Sequence, residues 1–357
     1  SGKSLIIYVL MRWYMENHDD KVLVIVPTTS LVQQMFADFG DYSTHDSSFD
    51  IEKEAHVIYS GKAKHDLEER IVISTWQSIY KLQPNWFAEF GVTFGDECHG
   101  FKSKSLSSIM NKCVNTAYRF GTTGTLDGTQ THKLVLEGLF GKVRKVTTTK
   151  KLQDDDTLAA LNIFMLTLEY NDEDKIENVG KTYAQEINWI VLNESRNNFI
   201  RNLAIDAKGN TLVLFQFVEK HGKVLYDIIS EKAEENRKVF YVSGQTEATD
   251  REAIRKIVET QENSIIVASL GTFSTGINIK NLHNIVFASP SKSQIRVLQS
   301  IGRSLRKSDD GRVSKLYDLV DDLQHKSRKN YALLHGEERL KIYTKEQFNY
   351  KEYRIKL

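Results

Sequence analysis

The chain opens on Gly2-Lys3-Ser4, and Asp96-Glu97-Cys98-His99 follows the apolar run Val92-Thr93-Phe94-Gly95. These residue types, taken together, do phosphate and metal chemistry. A lysine and backbone amides hold phosphate, while a serine hydroxyl and a carboxylate hold magnesium. Three residues recur by chance, so Gly-Lys-Ser alone says little; an acidic pair at a strand end makes the signal specific. Lys3 suits the β- and γ-phosphates of a nucleotide, and Ser4 suits Mg2+. Asp96 closes a strand, so its carboxylate is expected in the crevice at the sheet's carboxyl edge, holding the metal through water. Glu97 is then the residue to orient and deprotonate an attacking water. Cys98 reads as a small buried residue. His99 is either a coupling residue or a hydrogen-bonded structural histidine. ATP and Mg2+ are the cofactors this pattern implies.

The usual phosphate loop is G-x-x-x-x-G-K-[ST], and its first half supplies backbone amides. Only its last residues stand here. The chain is therefore expected to be truncated, with an incomplete nucleotide site.

Further candidates lie where strands empty into helices. Pro27-Thr28-Thr29-Ser30-Leu31 places hydroxyls at a helix N-terminus, which favours phosphate. Ser74-Thr75-Trp76-Gln77-Ser78 is a similar turn, where Trp76 either stacks on a base or simply packs. Gly121-Thr122-Thr123-Gly124-Thr125 makes a tight turn whose hydroxyls can bond carboxylates of a neighbouring strand end. In the second half, Ser269 to Ile279 is a loop rich in glycine and hydroxyls, including Thr272, Ser274, Gly276 and Asn278. Such a loop donates amides and hydroxyls to a sugar-phosphate backbone. Gln299-Ser300-Ile301-Gly302-Arg303-Ser304-Leu305-Arg306 puts two arginines three apart on one helix face, with Gln299 beside them. Paired arginines can reach a γ-phosphate as an arginine finger; the plainer reading is a basic helix end favoured by the dipole.

The elements that must position these residues alternate. Val22 to Val26 is a continuous β-branched run ended by Pro27, the pattern of a strand buried on both faces. Further strands are expected at His56–Ser60, Ile71–Thr75, Val92–Asp96, Tyr118–Thr122, Leu161–Tyr170, Thr211–Phe217, Val239–Val242, Ile265–Ala268, Ile285–Ala288 and Lys315–Leu319. Helical patterns fall between them, among them Leu5–Met15, Leu31–Phe39, Lys181–Asp206 and Ser293–Ser304. Two successive alternating sets mean two parallel-sheet α/β domains. Basic clusters and then Asp154-Asp155-Asp156 mark the boundary, giving domains 1–157 and 158–357, the latter ending in a helical tail.

Composition bounds the rest. At 357 residues the chain fits two domains of average size. A formal charge of +1 confines any nucleic-acid surface to local patches. Two cysteines exclude a disulfide framework and a four-cysteine zinc site, and point to a cytosolic protein. No apolar run approaches the roughly 20 residues of a membrane span. From Asp321 onward there are nine Lys/Arg and six Asp/Glu, with Tyr331, Tyr343, Tyr350 and Tyr353 interleaved. That stretch reads as a solvated helix and tail, or else as a surface that brushes a phosphate backbone.

In this order the motifs resemble those of superfamily 2 helicases and translocases over nearly the whole chain. Gly2-Lys3-Ser4 resembles the end of motif I, Pro27 to Leu31 motif Ia, and Ser74 to Ser78 motif Ib. Asp96 to His99 resembles motif II, Thr123-Gly124-Thr125 motif III, and Leu212 to Phe217 with the following helix motif IV. Ser269 to Ile279 and Gln299 to Arg306 resemble motifs V and VI. Within that superfamily the chain is similar to the recombination and repair DNA helicases of bacteriophages. The resemblance implies two tandem RecA-like domains with parallel central sheets and a nucleotide cleft between them. It implies catalytic roles for Asp96, Glu97, Gln299, Arg303 and Arg306, nucleotide contacts at Gly2, Lys3, Ser4, Gly276 and Asn278, and coupling through His99, Thr123 and Thr125. Pro27, Thr28, Thr29, Ser74, Thr75, Trp76, Thr272 and Ser274 would face nucleic acid. The implied activity is ATP-driven unwinding and branch migration of branched or single-stranded DNA, with RNA-DNA hybrids as a further substrate, in the host cytoplasm and off the membrane. It also implies a preceding nucleic-acid-binding domain. Thr-Gly-Thr stands where many relatives have Ser-Ala-Thr, and Asn278 where many have aspartate. The residues alone leave open an RNA-directed ATPase, a duplex-sensing remodeller without strand separation, a restriction-enzyme translocase and a P-loop kinase.

Overall fold

A computed structural model describes all residues except 1, 45, 47, 60, 125–129, 147–160, 273–280, 291–312 and 346. The chain divides into two compact units, Ser1–Lys145 and Val146–Leu357. The expected boundary at residue 157 falls outside the described residues.

The first unit is built on strands β1 (Lys21–Val26), β2 (Ala55–Ile58), β3 (Ile71–Thr75), β4 (Phe90–Asp96) and β5 (Tyr118–Thr122). They form one sheet in the order β2-β3-β1-β4-β5, with every pairing parallel. The β1 run explains the layering. Val22, Val24 and Val26 enter a cluster with Ile7, Met11 and Phe39, while Leu23 and Ile25 enter another with Phe101 and Ile109 on the opposite face. Alternating side chains of one strand thus nucleate two cores. Helix Lys3–Asn17 precedes β1, and helix Thr29–Tyr42 follows it, its first turn capped by the Thr28 side chain.

The second unit carries β6 (Leu161–Glu169), β7 (Thr211–Phe215), β8 (Val239–Val242), β9 (Ile265–Ser269), β10 (Asn284–Phe287), β11 (Ser314–Asp322) and β12 (Asn349–Lys356). Their order is β12-β6-β11-β10-β7-β9-β8, again with every pairing parallel. Two expectations are corrected here. The helical stretch Lys181–Asp206 is two helices, Tyr183–Leu192 and Glu194–Asp206, because the Asn193 side chain accepts from the Arg196 amide at 2.9 Å and restarts the helix. The solvated tail is instead a strand after helix Tyr331–Lys345: β12 pairs with β6 in register from Asn349↔Asn162 to Lys356↔Glu169. Lys351, Glu352 and Arg354 stay exposed on it. Charge on an edge strand blocks further pairing, and by composition it looks like a tail.

Two buried ion pairs hang from β11. Arg196 donates to Asp321 at 2.6 and 3.1 Å, and the Tyr170 hydroxyl donates to the same carboxylate at 2.7 Å. Arg339 donates to Asp318 at 2.8 Å, joined by Tyr343 at 2.9 Å. Burial, followed by the adjoining carboxylate's charge, pushes the pKa of both tyrosines well up, so both remain donors. Glu186 caps helix Tyr331–Lys345, accepting from the amides of Tyr331 at 3.0 Å and Ala332 at 2.7 Å. Removing one member of a buried pair strands the other. Asp321→Ala is therefore expected to lower unfolding free energy by about 3–5 kcal/mol in urea titrations. A loss of under about 1 kcal/mol, the size of a surface pair, would contradict this role.

Candidate active site

Parallel pairing brings the carboxyl ends of β1, β3, β4 and β5 to one edge of the first sheet, and the site grows there. Gly2 takes a left-handed conformation, φ 64° and ψ 18°, and starts helix Lys3–Asn17. That turn sends the Lys3 side chain to the end of β4. Its ammonium bonds the Glu97 carboxylate and lies 3.9 Å from Asp96 Oδ1. Asp96 is 7% exposed and accepts from Thr122 Oγ1 at 2.8 Å. The register pairs Asp96 with Thr122 across β4 and β5. Glu97 is a non-glycine residue in the left-handed region, φ 49° and ψ 45°. Such backbone costs about 1–3 kcal/mol and persists only where surrounding contacts fix it. Here those contacts are Lys3 and His99, whose Nδ1 lies 3.3 Å from Glu97 Oε2 and 3.0 Å from Thr123 Oγ1.

The two adjoining carboxyls are driven apart. For Asp96, burial is the largest influence and raises its pKa, against the opposing pull of Lys3. Burial also acts upward on Glu97, yet the His99 hydrogen bond and the charge and hydrogen bond of Lys3 together bring it down to about 2. Glu97 is thus an ionised base, and Asp96 a carboxyl that a cation would favour in its charged form. Cys98 is buried and its thiol is pushed up to about 12, chiefly by burial, so it is no nucleophile.

Other expected residues are placed as follows. The Ser4 hydroxyl lies 2.8 Å from Tyr42 Oη, and no bond among the described residues joins it to Asp96. Pro27 accepts through its carbonyl from Gln77 at 3.1 Å, tying two of the strand-end turns together. Thr28 caps helix Thr29–Tyr42, which begins at Thr29. Ser74 is fully buried, and its hydroxyl lies within hydrogen-bond distance of the backbone carbonyls of Ile58, at 3.3 Å, and Thr75, at 3.0 Å. Thr75 bonds Ser78 at 2.9 Å. Trp76 is half-buried, packing with Tyr80 at 5.9 Å. In the second unit Thr272 is buried and accepts from Ser269 at 2.6 Å. Thr125, Ser274, Gly276, Asn278, Gln299, Arg303 and Arg306 lie outside the described residues.

Sequence reasoning passed over Tyr42. The hydroxyl-rich turn was expected to bond a carboxylate of a neighbouring strand end, and Thr122, set opposite Asp96 by the register, makes that bond. The same turn's Gly121 is needed for packing: a Cβ there would lie 2.9 Å from the Phe140 ring. Gly124 also borders Lys3, its Cβ position 3.8 Å from the ammonium.

The donor set suits a hard cation. Asp96 and Ser4 offer oxygens, and Mg2+ takes only one or two protein ligands beside water and phosphate. Among the described residues no group of three or more His, Cys, Asp or Glu could hold a metal ion. No helix of the described residues is long and apolar enough to cross a membrane.

Two parallel-sheet α/β units in succession, the first with a lysine and two carboxyls gathered at its sheet's carboxyl edge, define the tandem RecA-like class. Residues 1–128 match the family described as "Type III restriction enzyme, res subunit", and residues 195–308 match "Helicase conserved C-terminal domain". The ATP-dependent DNA helicase UvsW of Enterobacteria phage T4 is 39% identical over 98% of this chain and 71% of its own length. The crystal structure of T4 UvsW aligns with 99% of this chain and 72% of that one at 37% identity, TM-score 0.49. At fold level, S. cerevisiae Dbp5 bound to RNA and ADP BeF3 matches 99% of this chain and 83% of its own, with 13% identity and TM-score 0.62. The DNA-bound Type ISP restriction-modification enzyme LlaBIII matches 99% of this chain and 29% of its own, with 16% identity and TM-score 0.68. The chain belongs to the superfamily 2 helicases, in the family of the ATP-dependent DNA helicase UvsW.

Glu97 supplies a test of the geometry. Its folded pKa is depressed from 4.5 to about 2, so the stabilisation it brings is full above the unfolded value and disappears as pH falls through the folded one. The stability difference between the wild type and Glu97→Gln should be constant above pH 4.5 and shrink between 4.5 and about 2. Urea midpoints across that range check this; a difference independent of pH would show that Glu97 is not held by Lys3 and His99.

Proposed function

We propose that this protein is an ATP-dependent DNA translocase and helicase that unwinds and branch-migrates branched DNA, including recombination junctions, stalled forks and R-loops. The convergence of Lys3, Asp96 and Glu97 at one sheet edge carries the nucleotide half of this reading. The likeness to UvsW supports the DNA half. The motor comprises 1–157 and 158–357, and it acts in the cytoplasm of the host cell.

Nucleotide phosphates would compete with Glu97 for the Lys3 ammonium. Drawing Lys3 onto the β- and γ-phosphates frees Glu97 to accept a proton from the attacking water, with His99 keeping it oriented. Asp96 and Ser4 would hold Mg2+, which neutralises phosphate charge when bound. Thr122 keeps the Asp96 carboxylate aimed. Arg303 and Arg306, with Gln299, would meet the charge developing on the γ-phosphate, and Gly276 and Asn278 would contact the nucleotide. His99, Thr123 and Thr125 link hydrolysis to the loops that hold DNA. Pro27, Thr28, Thr29, Ser74, Thr75, Trp76, Thr272 and Ser274 would contribute a phosphate grip without base reading, so sequence preference should be small.

The discriminating experiment measures ATP hydrolysis with no nucleic acid, single-stranded DNA, forked DNA and RNA. Strong stimulation by forked DNA supports the proposal; stimulation by RNA alone moves the protein to an RNA-directed reading. Glu97→Gln should retain nucleotide affinity and lose about 10²–10⁴-fold in turnover. Normal turnover in that variant would end the assignment. Arg306→Ala should bind nucleotide unchanged and hydrolyse it about 10³-fold more slowly; undiminished hydrolysis would remove Arg306 from the finger role.

A further inference from the structure

The second unit has an open groove of about 590 Å³ between helix Tyr183–Leu192 and the turn Val218–Gly222 that follows β7. Its described lining includes Lys181, Gln185, Asn188, Trp189 and Lys220, and Glu177 beside it bonds the Lys181 and Trp189 side chains. Lys220 is exposed, donates to Asn188 Oδ1 at 2.7 Å and has no carboxylate partner among the described residues. Its ammonium lies 5.3 Å from the Phe217 ring centre. Lys181 lies 5.5 Å from the Trp189 ring centre and pairs with Glu177 at 2.9 Å. Trp189 is half-buried and meets Tyr170 edge-on, with centroids 5.4 Å apart.

We infer that this groove binds a segment of single-stranded DNA, with Lys181 and Lys220 on successive phosphates and a base stacked on Trp189. This rests on the DNA-motor reading above and adds a contact outside every residue assigned there. Cations beside a flat indole and amides suit a strand that offers phosphate and base together. An acidic peptide would use the lysines but leave the indole and amides unmatched. Lys181 over the indole shows that this ring face meets a cation now; a base taking that face displaces the ammonium onto the neighbouring phosphate. The walls are preset. Glu186 on the same helix is locked to helix Tyr331–Lys345, and His221 in the turn lies 3.0 Å from Ser289 Oγ.

The test titrates the protein with oligothymidylate, following tryptophan fluorescence without nucleotide, across a salt series. Trp189→Phe should remove quenching that Trp76→Phe leaves in place. Trp189→Ala should weaken binding about tenfold. Lys181→Ala with Lys220→Ala should flatten the salt slope by about 1.4, at roughly 0.7 per phosphate contact. The Lys→Arg pair should restore it. Far-UV circular dichroism confirms that each variant is folded, and Trp189→Phe carries the test if Trp189→Ala is not. Wild-type binding with an unchanged slope in the lysine variant overturns the inference and leaves the DNA motor standing. Polyglutamate that competes as well as oligothymidylate overturns it in favour of an acidic peptide. No binding of any nucleic acid by the wild type overturns both readings.

Discussion

Charge neutralisation at the end of β4 governs the first unit. Asp96 and Glu97 adjoin, both largely withdrawn from water, and burial alone would push both toward the neutral form. A single ammonium, that of Lys3, answers them unequally. It bonds Glu97 directly and lies 3.9 Å from Asp96. Glu97 gains a second partner in His99, while Asp96 has a neutral hydroxyl, that of Thr122. Environments that push neighbouring carboxyls apart in pKa assign their roles. In the proposed mechanism the first is the base and the second the metal ligand. The left-handed backbone at Glu97 belongs to the same arrangement, because it turns consecutive side chains toward one lysine.

Parts of this were legible in the chain. The run Val22–Val26 could only be a strand covered on both faces, and the structure buries its side chains in two cores. Lys3, Asp96 and Glu97 were legible because their chemistry is specific. What stayed hidden depended on register or on which face a residue turned. The turn's hydroxyls were expected to meet a neighbouring carboxylate, but that it is Thr122 on Asp96 depends on the alignment of β4 and β5. Ser74 was expected in strand Ile71–Thr75, but that its hydroxyl turns onto backbone carbonyls is a matter of face that the sequence does not reveal. The β12 strand was hidden because an edge strand has no need of apolar alternation, and its charges imitate a tail.

The second unit uses buried charge differently. Asp318 and Asp321, on β11, each accept from a buried arginine and a buried tyrosine. Such pairs add little net stability over apolar packing, because desolvation offsets their attraction. Their directional bonds do discriminate between packings. Arg196 and Arg339 lie on helices Glu194–Asp206 and Tyr331–Lys345, so each pair sets how its helix seats on the sheet. An apolar contact in either place would permit sliding; a two-pronged guanidinium does not.

That fixity reaches the surface. Glu186 accepts two amides of helix Tyr331–Lys345, which ties helix Tyr183–Leu192 to an element already fixed by Asp318. On the other wall His221 is buried and kept neutral, its pKa driven down to about 3, chiefly by burial and then by the charge of Arg196. A neutral imidazole bonding Ser289 keeps the turn after β7 joined to the end of β10. Both walls of the Lys181–Lys220 groove are therefore set before any strand arrives. A surface whose cations are already placed loses less freedom on binding than one that must gather them. The same economy operates at the nucleotide edge, where Lys3 is already ordered on Glu97. In both units, polar bonds to neighbouring side chains hold a cation where phosphate is proposed to bind.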